Sequence, residues 1–125
     1  MIAIDTSSWV AFFSGASGED VDLVGKALAE SQACLVPVVL TELLSDPQLP
    51  ARVAALFKDL PMLEVTDGYW ERAGVLRSEV LSRKLKARLA DTLIAQSCLD
   101  HDVTLVSRDS DFRHFAAARG LALLG

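Results

Sequence analysis

Residues 103–112 read Val103-Thr104-Leu105-Val106-Ser107-Arg108-Asp109-Ser110-Asp111-Phe112. A short apolar run breaks into a polar turn carrying two aspartates. A helical pattern from Asp111 to Arg119 follows, closed by Gly120 as a C-terminal cap. Four further runs repeat the strand part of this unit: Ile2–Ile4, Cys34–Val36, Met62–Val65 and Leu121–Leu124. Most are rich in Val, Ile and Leu, as strands covered on both faces are.

Helical patterns fill the intervals. Val21, Val24 and Leu28 form a stripe after Gly18-Glu19-Asp20. Val38 to Ser45 reads as a second helix with Pro37 in its first turn. Asp46-Pro47 ends it, because a residue before proline avoids the helical region. Ala51 to Leu60 is a third helix. Trp70, Ala73, Leu76, Val80 and Leu81 outline a longer one, and Leu89, Leu93 and Gln96–Leu99 another. Strands alternating with helices predict a parallel α/β sheet with short connections. Ligands of such sheets bind beyond the carboxyl ends of the strands.

Composition sets limits on this reading. The 125 residues suit one domain, taken as residues 1–125. The hydrophobic fraction of 51% and mean hydropathy of +0.33 exclude a disordered chain. The longest wholly apolar run, Ala33–Leu40, falls well short of the roughly 20 residues that span a bilayer, so no membrane association is expected. The first basic residue is Lys26, and Asp5 interrupts the N-terminal apolar stretch. That is not a secretory leader, and a cytoplasmic location is expected. Cys34 and Cys98 stand far apart in apolar surroundings and read as buried small hydrophobes. His101 and His114 share no zinc-ligand spacing. The net charge of −5, taken alone, disfavours a polyanionic partner.

The acids occupy a pattern. Asp5 follows the first strand, Asp109 and Asp111 follow the fourth, Glu42 lies in the helix after the second, and Asp91 lies near the start of the helix leading into the fourth. In a parallel sheet these positions converge on one edge. Each has an ordinary reading as well. Asp5 could cap a helix starting near Thr6, Glu42 could sit on a solvated face, Asp91 could pair with Arg88 or cap its helix, and Asp109 and Asp111 could be turn and N-cap residues. Together, carboxylates so placed repel one another and raise their own pKa values unless a cation is present. Hard cations such as Mg²⁺ take such oxygen ligands, and paired ions clamp both oxygens of a phosphodiester displacement.

These local sequences resemble the PIN-domain ribonucleases, and most closely the VapC-type toxins of bacterial toxin–antitoxin modules. The resemblance spans nearly the whole chain. It is carried by Ile2-Ala3-Ile4-Asp5-Thr6-Ser7-Ser8-Trp9, Val38-Val39-Leu40-Thr41-Glu42-Leu43-Leu44, Leu89-Ala90-Asp91-Thr92-Leu93-Ile94-Ala95 and residues 103–112, in order. It implies a PIN-like fold, a single parallel five-stranded sheet flanked by helices on both faces. It implies a metal-dependent endoribonuclease using Mg²⁺ or Mn²⁺, one or two ions, held by Asp5, Glu42, Asp91 and Asp109, with Asp111 as a fifth acid. Ser7 and Ser107 match supporting hydroxyl positions. It also implies a cognate antitoxin and a homodimer, for which Trp9, Phe12 and Phe13 are candidate contacts where they do not pack in the core. The chain departs from the family pattern in three places. Ser107 stands where Thr is common, Lys84-Leu85-Lys86 lacks the glycine often seen before the third acid, and His101-Asp102 replaces the glycine often found before the fourth strand. These departures bear on loop geometry and substrate choice.

Half of the twelve basic residues fall within residues 72–88, against a single acid, Glu79. The segment leads straight to Asp91. Arg83, Lys84, Lys86 and Arg88 are therefore expected to hold an RNA backbone through phosphate contacts, unless they form an ordinary solvated face. Two other readings stand beside the ribonuclease. A phosphoryl-accepting receiver domain also places acids at strand ends, but wants paired acids after the first strand and a lysine after the last. A non-catalytic RNA- or protein-binding module of the same fold would not need four intact acids.

Overall fold

The computed structural model describes all 125 residues. At its centre β1 (Ile2–Ile4) lies between β2 (Ala33–Cys34) and β3 (Thr104–Val106), all parallel. Ile2 and Ala3 pair with Ala33 and Cys34 on one side. On the other, Ile2, Ala3 and Ile4 pair with Thr104, Leu105 and Val106. The expected five-stranded sheet is thus realised as three strands with a narrow margin. Met62 and Leu123 each make one isolated parallel bridge, to Leu35 and Leu105. The reason is coverage. Ala3, Ile4, Cys34 and Leu105 are fully buried, whereas Met62, Val65, Leu123 and Leu124 are 37–46% exposed. The flanking segments lack the two-sided burial that holds a parallel strand in register.

Seven helices flank the sheet: α1 (Thr6–Phe13), α2 (Glu19–Ala29), α3 (Pro37–Leu44), α4 (Ala51–Asp59), α5 (Tyr69–Ser82), α6 (Leu89–His101) and α7 (Phe112–Arg119). Pro37 opens α3, where its missing N–H costs nothing. Gly120 closes α7 in the left-handed conformation, φ 71°. Trp9 is fully buried, its ring edge-on to Phe57 at 5.1 Å. Phe12 packs against the core, and of the three aromatic candidates for a partner contact only Phe13 is exposed. On α5 the buried face is Tyr69, Ala73, Leu76 and Val80. Trp70 and Leu81 point outward, so the stripe expected from Trp70 is displaced by one residue at its start. Tyr69 takes the inner place because its hydroxyl finds a partner there, donating to the Leu93 carbonyl at 2.7 Å. Cys34 and Cys98 are both buried and unpaired. Burial pushes the Cys34 thiol up to about 11 and the Cys98 thiol higher still, so both serve as small apolar groups.

Three connections carry backbone strain, one of them at Ser31 (φ 55°). Lys84 (φ 60°) and Asp102 (φ 53°) are left-handed without being glycine. Both lie in the segments where the family's usual glycine is missing. Here the chain keeps the turn and changes the residue. A short polar side chain eases the conformation at Asp102, whereas nothing comparable relieves it at Lys84.

One ion pair fixes the turn after β3. The Arg108 guanidinium donates to both Asp20 oxygens, at 2.9 and 3.1 Å, and to the Ser17 carbonyl. Asp20 also accepts from the Ser8 hydroxyl at 2.8 Å. The Arg108 contact holds the Asp20 carboxyl at about 2, well below its ordinary 3.8. The turn that carries Asp109 is thereby tied to α1 and α2.

Candidate active site

β1 leads directly into Asp5, whose backbone N–H donates to the Val106 carbonyl at 2.9 Å and so continues the β1–β3 pairing. Asp5 stands at the N-cap position of α1, but its carboxylate makes no capping bond. Instead Oδ2 accepts from the Ser7 hydroxyl at 2.6 Å and from the Ser107 hydroxyl at 3.0 Å. Ser107 Oγ in turn accepts the Asp109 N–H at 2.9 Å. One hydroxyl thus couples the acid after β1 to the loop after β3. Asp5 is 5% exposed and has no basic partner. A buried carboxylate left without a cation is costly unless something else supplies positive charge.

The other acids gather around it. Asp91 lies in the first turn of α6 without serving as its cap, since Arg88 holds that position. It forms no salt bridge with Arg88. Its carboxyl is pushed from 3.8 up to about 6, first by burial and then by the charges of Asp5 and Asp109. Glu42 adds to the same effect, and Arg88 opposes it. Glu42 itself is exposed on α3, with Oε1 accepting from the Thr6 hydroxyl at 2.8 Å. Asp109 is partly buried and accepts the Asp111 N–H at 2.9 Å, the turn role open to it in the sequence. The charges of three other acids therefore reach Asp91. Asp111 is placed differently. It caps α7 by position, and its carboxylate lies 3.9 Å from Lys86 Nζ, drawn toward the α5–α6 loop.

No three His, Cys, Asp or Glu side chains stand close enough to enclose a metal ion by themselves. The donor set nevertheless fits a hard divalent cation, which keeps several waters and binds through one or two carboxylates. The oxygen-only ligands, and the mutual repulsion that raises Asp91, both favour such an ion.

Residues 83–88 bring basic charge to this edge. Arg83 caps α5, Lys84 holds the left-handed turn, and Arg88 caps α6 beside Asp91; all three are exposed, as is Lys86. Two side chains fasten the loop by adjacent carbonyls: Arg77 Nε donates to Ala87 O at 2.8 Å, and His114 Nδ1 lies 2.9 Å from Lys86 O. Arg72, though in the same basic segment, is spent on Asp100 at the other end of α6. The supports Thr6, Asp20, Arg77 and His114 escape sequence reasoning. Their partners lie 10 to 88 positions away, and no local pattern signals such contacts.

The sequence matches the PIN domain family over residues 2–118. The chain belongs to the PIN domain family. It is 30% identical over 119 residues to Ribonuclease VapC11 of Mycobacterium tuberculosis, covering 90% of this chain and 89% of that one. The VapC ribonuclease Mb1587 of Mycobacterium bovis is similar to the same degree. The PIN fold recurs in VapBC2 of Rickettsia felis, solved bound to a DNA fragment from their promoter. That structure has a TM-score of 0.74 and 22% identity, over 99% of this chain and 98% of that one. A toxin–antitoxin complex from Klebsiella pneumoniae gives a TM-score of 0.72 at 18% identity, over 100% and 97% of the two chains.

The raised Asp91 makes a prediction in ion-free buffer. A carboxyl whose pKa rises on folding weakens the folded state once it ionises, so stability falls as pH climbs from 3.8 through about 6. Asp91→Asn removes that cost. Urea denaturation with EDTA should show a gain of about 1–2 kcal/mol near pH 8 that disappears below about pH 4. An equal gain at both pH values would contradict the shared field of the acids.

Proposed function

We propose that this chain is a metal-dependent endoribonuclease of the VapC type, the toxin of a toxin–antitoxin pair, acting in the cytoplasm as one PIN-like domain over residues 1–125. The carrying observation is the set of carboxylates at the sheet edge, where burial first and then the charges of Asp5, Asp109 and Glu42 raise Asp91. Asp5, Glu42, Asp91 and Asp109 would hold Mg²⁺ or Mn²⁺, as one or two ions. When bound, such a cation activates water and neutralises charge developing on the phosphate. The reaction joins a water oxygen to phosphorus and breaks one ester P–O bond, the departing oxygen leaving with a proton.

The residues of the chain have separate tasks. Ser7 and Ser107 fix the rotamer of Asp5, and Thr6 fixes that of Glu42. Asp111 serves at the margin, steering Lys86. Arg83, Lys84, Lys86 and Arg88 hold RNA phosphates beside Asp91, delivering affinity without sequence choice. The antitoxin reading is supported by relatives solved as toxin–antitoxin complexes. A homodimer is proposed on the same resemblance.

Asp5→Asn is expected to lower RNA cleavage by more than the roughly 10- to 100-fold typical of residues that only orient ligands. Mg²⁺ is expected to raise the thermal midpoint of the wild-type chain and not that of the variant, by mass action on a folded-state site. Undiminished cleavage in the variant contradicts the assignment. The triple variant Arg83→Ala/Lys84→Ala/Lys86→Ala should flatten the salt dependence of RNA binding by about two to three units of slope. An unchanged slope removes the loop from the RNA path.

A further inference from the structure

A cavity of about 420 Å³ opens beside Asp109. Its walls come from α2, β3, the turn into α7 and the C-terminal segment, and include nothing from the basic α5–α6 loop. Two of its charged residues, Asp20 and Arg108, are bound to each other. Three others, Glu19, Asp109 and Arg113, enter none of the chain's four salt bridges, and of these Glu19 and Arg113 lie outside the acid cluster. Both are exposed, as is Ser110 at the turn. Leu23 and Leu124 supply apolar wall, Leu124 being 38% exposed.

This combination suits one chemical class. The volume lies in the range of small-ligand pockets, about 300–1,000 Å³. An unpaired guanidinium matches a phosphate with two parallel hydrogen bonds. Aliphatic walls accept the flat face of a base. Glu19, as an ionised carboxylate, only accepts hydrogen bonds. Among the RNA bases, guanine presents two adjacent donors to a carboxylate, N1–H and the N2 amino group. Adenine and cytosine pair one amino donor with an adjacent acceptor, and uracil flanks its single N–H with two carbonyls.

We propose that this cavity is a nucleotide subsite next to the scissile phosphate, with Arg113 on the neighbouring phosphate and Glu19 on the base edge, selecting guanine. The proposal rests on the ribonuclease reading and adds to it a determinant of where RNA is cut. The basic loop grips backbone without regard to sequence. The cavity, reached from the same acids at Asp109, reads one base.

The test is an NMR titration of the full chain, in buffer with Mg²⁺, using the 5′-monophosphates of guanosine, adenosine, cytidine and uridine. The expected shifts fall on Leu23, Ser110, Arg113 and Leu124, with guanosine monophosphate binding tightest and uridine monophosphate weakest. Arg113→Ala should weaken all four by about tenfold. Glu19→Gln should abolish the preference for guanine while binding persists, a result that a merely structural role for Glu19 would not give. Shifts confined to other surfaces, affinity unchanged in Arg113→Ala, or guanine preference retained in Glu19→Gln each overturn the subsite. Cleavage of RNA by the wild-type chain is scored separately. An active ribonuclease whose cavity takes no mononucleotide loses the subsite and keeps its activity assignment. A cavity that prefers guanosine monophosphate in a chain that cuts no RNA keeps its nucleotide chemistry and overturns the ribonuclease reading.

Discussion

Crowding like charges at the carboxyl edge of a parallel sheet is the constraint on which this structure turns. A carboxylate moved out of water resists ionisation, and a second one nearby adds to that resistance. Here Asp5 is almost wholly buried, and Asp91 feels Asp5, Asp109 and Glu42 at once. Such an arrangement persists only because the rest of the fold holds it. The inner strands contribute by burial: Ala3, Ile4, Leu105 and Val106 are fully enclosed, each large apolar side chain among them adding about 1.5–3 kcal/mol.

The polar groups around the acids are arranged to the same end. The Ser7 and Ser107 hydroxyls both donate to one oxygen of Asp5, fixing its orientation without supplying charge. Thr6 does the same for Glu42. Arg108 is bound to Asp20 and Arg77 to a loop carbonyl, which leaves Arg88 as the guanidinium whose charge opposes the rise at Asp91. A divalent cation at this edge would offset the repulsion that, together with burial, raises Asp91. The net charge of −5 thus averages an acidic edge and a basic loop that stand beside each other.

Much of this was legible in the sequence for a physical reason. Strands buried on both faces must be apolar, and a polar residue at the end of one breaks that run visibly, as Asp5 does after β1 and Ser107 does two residues before Asp109. Proline and glycine punctuated α3 and α7 where backbone chemistry demands them. The outer strands were overcalled because apolar content at Met62 and Leu123 does not reveal that these positions stay 45% and 37% exposed. The inner place of Tyr69 over Trp70 depended on a carbonyl of another helix, Leu93. The turns at Lys84 and Asp102 were hidden because left-handed backbone is normally advertised by glycine. The ties from Arg108 to Asp20 and from His114 to Lys86 join segments far apart in the chain, and only the fold brings them together.

The central claim is that the gathered acids direct water, through a divalent cation, at an RNA phosphodiester. The chemistry of the product ends tests it most directly. RNA incubated with the purified chain and Mg²⁺, then analysed by mass spectrometry, should carry simple phosphate and hydroxyl ends, and chelation of the metal should stop the reaction. Ends bearing a 2′,3′-cyclic phosphate, or cleavage that continues undiminished in chelator, would mean that the ribose hydroxyl is the nucleophile and would contradict the account.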